Sequence, residues 1–173
     1  MTAQLFVDES KRRGFVMVAV EYSSSHVASH RAAISKQLRP GQRRIHFKTE
    51  RDSVRRDFIE VITAQQPQAF VFSATSGYEP LARIECLKAI SALAIRRNAN
   101  RLVIERDETR DRDDRRTLTD AFRGHQNHLT WEIQQSSTEP LLWVADAIAW
   151  CWAHPQKQWR DSVQDLVADQ YRV

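Results

Sequence analysis

The spacing of hydrophobic and polar positions changes several times along the chain, and each change marks an element. In "AQLFVD" Leu5 and Val7 point one way while Phe6 and Asp8 point the other, the two-residue alternation of a strand. After "ESKRRG", Phe15 to Val20 forms a second apolar, β-branched run, and the short connection through Gly14 predicts an antiparallel hairpin. "SSSHVASHRAAISKQL" is expected to be a helix capped by one of its serines and stopped by Pro40 and Gly41. A short strand is predicted at "RRIHF". Thr49 then fits an N-cap position with Asp52 in the capping box, ahead of a helix whose Val54, Phe58, Val61 and Ile62 recur at helical spacing and which Pro67 ends.

From there strands and helices alternate. The order is strand "AFVFSAT", a helix from about Pro80 to Arg97, strand "RLVIE", a charged loop into a helix near Leu118, strand "LTWEI", and a helix over 140–153. A last amphipathic helix is predicted after Pro155. An early hairpin followed by strand–helix–strand units predicts an α/β fold with a mixed sheet and helices on both faces, because parallel strands need crossovers that cover them. No internal repeat or low-complexity linker interrupts the pattern, so residues 1–173 read as a single domain.

Composition agrees: 173 residues, 42% hydrophobic and 28% charged, suit one soluble globular domain. The apolar run near the C-terminus is too short for a membrane span of about 20 residues, and "MTAQLFVDESKRR" lacks the basic start and apolar core of a signal peptide. A cytoplasmic protein is expected. Cys86 and Cys151 lie in apolar helical segments without CxxC spacing, which favours buried thiols over a disulfide or zinc site.

Charge changes the picture more. Residues 31–56 hold nine Lys or Arg and two acids, a local +7 in a chain of net +4. Such a flank either attracts a polyanion such as nucleic acid or is simply a solvated surface. Arg43, Arg44, His46 and Lys48 are the candidate substrate-binding residues within it.

In an α/β sheet, ligands gather beyond the C-terminal ends of the parallel strands, so acids there carry weight. Asp8 and Glu9 end the first strand. Glu105 ends "RLVIE" and Asp107 follows on the same face if the strand continues, although both open a loop of dense mixed charge. Asp146 stands out within "LLWVADAIAWCWAH", since its helical neighbours Leu142, Trp143, Ala149 and Trp150 are all apolar. An ionised carboxylate buried there needs a partner, since leaving it alone costs several kcal/mol. It must meet a cation, a dense set of donors or a proton, the cation being an arginine or a hard divalent ion such as Mg²⁺.

"FVDES" at the end of a first strand, a glycine before a second apolar strand, "IHFK" before a helix, and "LLWVADAIAWCW" near the C-terminus resemble the family known as domain of unknown function 3800. That family shows a strand ending in Asp-Glu-Ser and a late helix reading roughly leucine-x-x-Ala-Asp-x-Ile-Ala, and the resemblance runs in order over nearly the whole chain. It implies a ribonuclease H-like fold, and a site where Asp8, a middle-strand acid and Asp146 hold Mg²⁺ or Mn²⁺. The middle acid is Glu105 by strand periodicity or Asp107 if the loop bends inward. Here Lys11 and two arginines precede Gly14, so the hairpin turn is longer and more basic than the family pattern.

Converging carboxylates from several elements suit phosphodiester hydrolysis, in which two metals about 4 Å apart activate water and stabilise the leaving oxygen. The expectation is a divalent-metal nuclease acting on DNA or RNA, with Asp8, Glu9, Glu105, Asp107 and Asp146 as its candidate acids. Its rival is a non-catalytic nucleic-acid- or protein-binding module of the same fold, with Asp146 paired to an arginine. GxGxxG, a phosphate-binding glycine loop and GxSxG are all absent from the sequence, which argues against dinucleotide, kinase and serine-hydrolase chemistry. Trp143, Trp150 and Trp152 read as core or as a subunit contact, which leaves room for a homodimer, before they read as a base-stacking platform.

Overall fold

The computed structural model describes residues 2–173. Strands β1 (Ala3–Ser10) and β2 (Val16–Ser23) form the antiparallel hairpin, turned through Gly14, whose φ of 80° suits glycine. Helices α1 (Val27–Ser35) and α2 (Asp52–Gln65) follow, then β3 (Gln68–Ser73), α3 (Glu79–Arg96), β4 (Ala99–Glu105), α4 (Asp111–Ala121) and β5 (Thr130–Gln134). The chain continues through α5 (Leu141–Ala153), short α6 (Lys157–Asp161) and β6 (Val167–Arg172). The strands make one mixed sheet in the order β5-β4-β1-β2-β3-β6, with β4 parallel to both β1 and β5, and β6 parallel to β3.

Side-chain alternation divides the core into two layers. Phe6, Val18, Val20 and Val103 face α1, α2 and α5, whereas Leu5, Val7, Met17 and Ile104 face α3 and α4. Helix α5 is apolar all round because it is enclosed on nearly every side: of its thirteen residues, only Asp146 and Trp152 are not fully buried. Its apolar faces are therefore covered within the chain, and no subunit contact is needed to explain them. Cys86 and Cys151 are free, buried thiols. Among the described residues no helix is long and apolar enough to cross a membrane.

Four local expectations are corrected. Residues 43–46 of "RRIHF" form no strand, and the segment enters a 3-10 turn at Phe47–Thr49; Ile45 and Phe47 are buried like strand residues, but a backbone donor there serves a side chain instead of a ladder. Arg51 rather than Thr49 stands at the N-cap position of α2, with no side-chain cap, because the 3-10 turn occupies Thr49. His26 precedes α1 and no serine caps it; Ser29 Oγ instead donates to the His26 carbonyl. After Pro155 the amphipathic pattern of Trp159, Val163 and Leu166 is real, but it spans short α6 and a 3-10 turn before the chain extends as β6 beside β3.

Candidate carboxylate site

Strands β1 and β4 run parallel with Val7 opposite Ile104, so the residues that follow, Asp8 and Glu105, emerge side by side at the same end of the sheet. Asp8 shares the parity of Phe6 and Glu105 that of Val103, so both rise on the face covered by α5. Asp146 descends from α5 toward them. Asp8 is 7% exposed and accepts the Glu9 backbone N–H at 2.7 Å. Burial, a hydrogen bond shared with Glu105, and the nearby charges of Glu105 and Asp146 push its carboxyl well above the usual carboxylate range. Acids from β1, β4 and α5 thus lie within electrostatic reach of one another at one end of the sheet.

Asp146 meets a donor rather than an arginine. Its Oδ2 accepts the Phe47 N–H at 2.8 Å and lies 3.4 Å from His46 Nδ1, and among the described residues His46 is its one ion-pair partner. The Asp146 hydrogen bond holds the His46 imidazole above its usual range, outweighing the opposing effect of burial. The irregular path of residues 43–46 thus has a purpose, since a strand there would commit the amide that now orients the carboxylate.

Glu9 and Asp107 do not face Asp8, although Glu9 lines the cleft beside Asp146. Glu9 has the opposite parity and projects to the α3 face, where it meets Arg83 and, at 3.0 Å, Lys11 Nζ. Asp107 accepts the Thr109 N–H at 2.9 Å and hydroxyl at 2.6 Å, with Lys11 at 3.5 Å. Burial opposes ionisation there, but the Thr109 bonds and Lys11 hold the Asp107 carboxyl below its usual range. Of the two middle acids, it is Glu105 that stands beside Asp8.

The basic stretch splits by role. Arg31 binds Glu139 at 2.9 Å, Arg39 binds buried Glu50 at 2.7 Å, and Arg55 holds Asp52 and the Phe47 and Lys48 carbonyls. These three tie loops to helices. Glu50 clamps residues 39–42 through Arg39 and Gln42. Arg44 Nη1 donates to Ser136 Oγ at 2.7 Å and lies 3.7 Å from Glu105 Oε1. His46 and Lys48 line a cleft of about 690 Å³ beside Asp146, together with Lys11, Arg12, Arg55, Trp150 and His154. Sequence reasoning does not single out those last five for this cleft, although "KRR" shortly after Asp8 and Glu9 is the signal that could find two of them. Trp150 is 7% exposed, with the Arg55 guanidinium 4.2 Å from its ring centre and His154 at 4.3 Å.

Among solved structures, the chain is similar to ribonuclease HII in its complex with PCNA from Archaeoglobus fulgidus, with a TM-score of 0.54 and 13% identity, covering 94% of this chain and 75% of that one. The fold is ribonuclease H-like. No family model matches the sequence, and no curated protein matches it. In this ribonuclease H-like sheet, the carboxylate oxygens of Asp8, Glu105 and Asp146 are the donor type that Mg²⁺ and Mn²⁺ prefer. Among the described residues, no group of three or more His, Cys, Asp or Glu side chains is spaced so that it could hold a metal ion as the chain stands.

Proposed function

We propose that the chain is a divalent-metal-dependent nuclease that hydrolyses phosphodiester bonds of DNA or RNA, with Asp8, Glu105 and Asp146 as the residues that would hold Mg²⁺ or Mn²⁺. We place it, on the motif resemblance, in the domain of unknown function 3800 family. The observation that carries this reading is the convergence of three acids around buried Asp8, an arrangement that raises the energy of the folded chain and so calls for a function. When bound, the cation supplies water activation and stabilisation of the leaving oxygen.

The chain's own residues supply position. The Glu9 amide fixes Asp8, the Phe47 amide fixes Asp146, and His46 flanks Asp146 with its proton held by the same carboxylate. Arg44 beside Glu105 and Lys48 in the neighbouring cleft offer positive charge to a phosphate. A covalent cysteine route is disfavoured, since burial pushes both the Cys86 and Cys151 thiols up to about 12.

The test is cleavage of end-labelled single- and double-stranded DNA and RNA with Mg²⁺ or Mn²⁺ against chelator. Asp8→Asn and Glu105→Gln are each expected to reduce cleavage to background while the circular dichroism spectrum stays that of the parent. Full activity in Asp8→Asn rejects the three-carboxylate site. One observation favours the non-catalytic module: Arg44 already stands 3.7 Å from Glu105 and could neutralise it. Under that reading the parent binds nucleic acid or protein and cuts nothing with either metal.

A further inference from the structure

Two basic clefts meet at the carboxylates. The larger, of about 690 Å³, is bordered by Asp146 and His46 and carries Arg12 and Lys48. The smaller, of about 390 Å³, is bordered by Glu105 and carries Arg43, Arg44 and Arg106. Arg44 lies 3.7 Å from Glu105 and His46 3.4 Å from Asp146, two residues apart on one loop, so the two clefts open on either side of the same acids.

The cations in the clefts are not equally free. Lys11 is held by Glu9 and Glu79, Arg55 by Asp52 and two carbonyls, and Arg106 by Asp111 at 3.3 Å. Among the described residues, Arg12 and Lys48 on one side and Arg43 on the other have no carboxylate partner within ion-pair distance. Unneutralised positive charge therefore stands on both sides of the acids. A mononucleotide or a strand terminus would require it on one side only.

We propose that a single strand of nucleic acid runs through both clefts, its phosphates held on each side of the bond to be cut, so that cleavage is endonucleolytic. The proposal rests on the nuclease reading above. In the step itself, the oxygen of water bonds to phosphorus and one P–O ester bond breaks with its electron pair staying on the departing oxygen. The proton that water gives up ends on that oxygen. The products are a phosphate monoester and a hydroxyl, with no change of oxidation state. The shared ligand chemistry is a run of phosphodiesters, and DNA and RNA are separate arms of the test.

The experiment uses the full chain and fluorescein-labelled single strands of about 16 nucleotides, the upper end of the site size of a single-strand-binding domain, with covalently closed circles of the same sequences. Anisotropy in chelator reads binding without cutting. Arg12→Glu with Lys48→Glu, and separately Arg43→Glu, are each expected to weaken binding about 3- to 10-fold and to lower the slope of log affinity against log salt by about one for every phosphate that is no longer neutralised. Circles are expected to bind within about threefold of linear strands, and to be opened when Mg²⁺ or Mn²⁺ is added. Loss of binding from only one of the two variant sets, or circles that fail to bind, overturns the two-cleft path. Linear strands shortened from their ends while circles stay closed overturn endonucleolytic cleavage and leave the nuclease reading standing. Strands that bind through both clefts, with neither circles nor linear strands cut in any condition, overturn the nuclease reading, and the endonucleolytic step falls with it.

Discussion

Arg83→Met is expected to destabilise the protein by about 3–5 kcal/mol, the typical effect of stranding one half of a buried ion pair. Arg83 is 3% exposed and Asp114 1% exposed. The guanidinium donates from Nε to Asp114 Oδ1 at 2.9 Å and from Nη2 to Asp114 Oδ2 at 2.8 Å, and also meets Glu9 and the Glu105 carbonyl. Burial alone would lower the pKa of Arg83, but the Asp114 and Glu9 carboxylates more than reverse this, so the cation stays charged at any pH the fold survives. Methionine fills much of the same volume and offers no donor, leaving the Asp114 carboxylate without compensation. For a chain of this size each kcal/mol shifts the melting temperature by about 2–4 °C, so a fall on the order of 10 °C is expected. Arg83→Met with Asp114→Leu should recover most of it, since an apolar pair of similar volume often matches a buried ion pair. Thermal melts of parent, single and double variants decide the matter: a loss under about 1 kcal/mol, or a double variant no better than the single, would show that the pair is not what holds α4 to α3. Because Arg83 also ties the ends of β1 and β4, the single variant should loosen the approach of Asp8 to Glu105.

The parity that matters most for the site could be read from the sequence. Two-residue alternation places Asp8 with Phe6 and Glu105 with Val103, and the apolar neighbours of Asp146 announce a carboxylate entering the same layer. Glu9 falls on the other face of β1 by that same parity, and its partner Arg83 comes from 74 residues away and leaves no local trace. Asp107 and Glu105 differ only in how the loop bends, which Thr109 and Lys11 determine through contacts that no spacing rule reports. At "RRIHF" the alternation of Ile45 and Phe47 is the pattern of a half-buried strand. What excludes a strand is that Asp146, 99 residues on, takes the Phe47 amide. The charge run misleads in a related way, because Arg31 and Arg39 find carboxylates of their own and only part of the +7 faces outward.

The carboxylates give the second large effect. In chelator at neutral pH, Asp8→Asn is expected to raise the melting temperature, by about 2–4 °C for each kcal/mol of repulsion relieved. Burial, the bond to Glu105 and the charge of Asp146 raise the Asp8 carboxyl in the folded chain, while the unfolded chain holds it near about 3.9. The folded state therefore binds that proton more tightly, and stability falls as pH climbs from about 4, with the whole penalty present only above the folded value. Asparagine keeps an oxygen to accept the Glu9 amide and removes the charge, so its advantage should be largest at neutral pH and vanish below about pH 4. Asp146→Asn should leave the melting temperature in chelator raised or unchanged at neutral pH, because its amide oxygen can still accept the Phe47 N–H. Mg²⁺ or Mn²⁺ should reverse the ranking, since a cation held by all three acids stabilises the parent by mass action while either variant lacks a ligand. Melts with chelator and with metal across pH 4 to 8 are the measurement. A parent more stable than both variants in chelator at pH 7, with no gain from metal, would mean that Asp8 and Asp146 serve the fold rather than a cation.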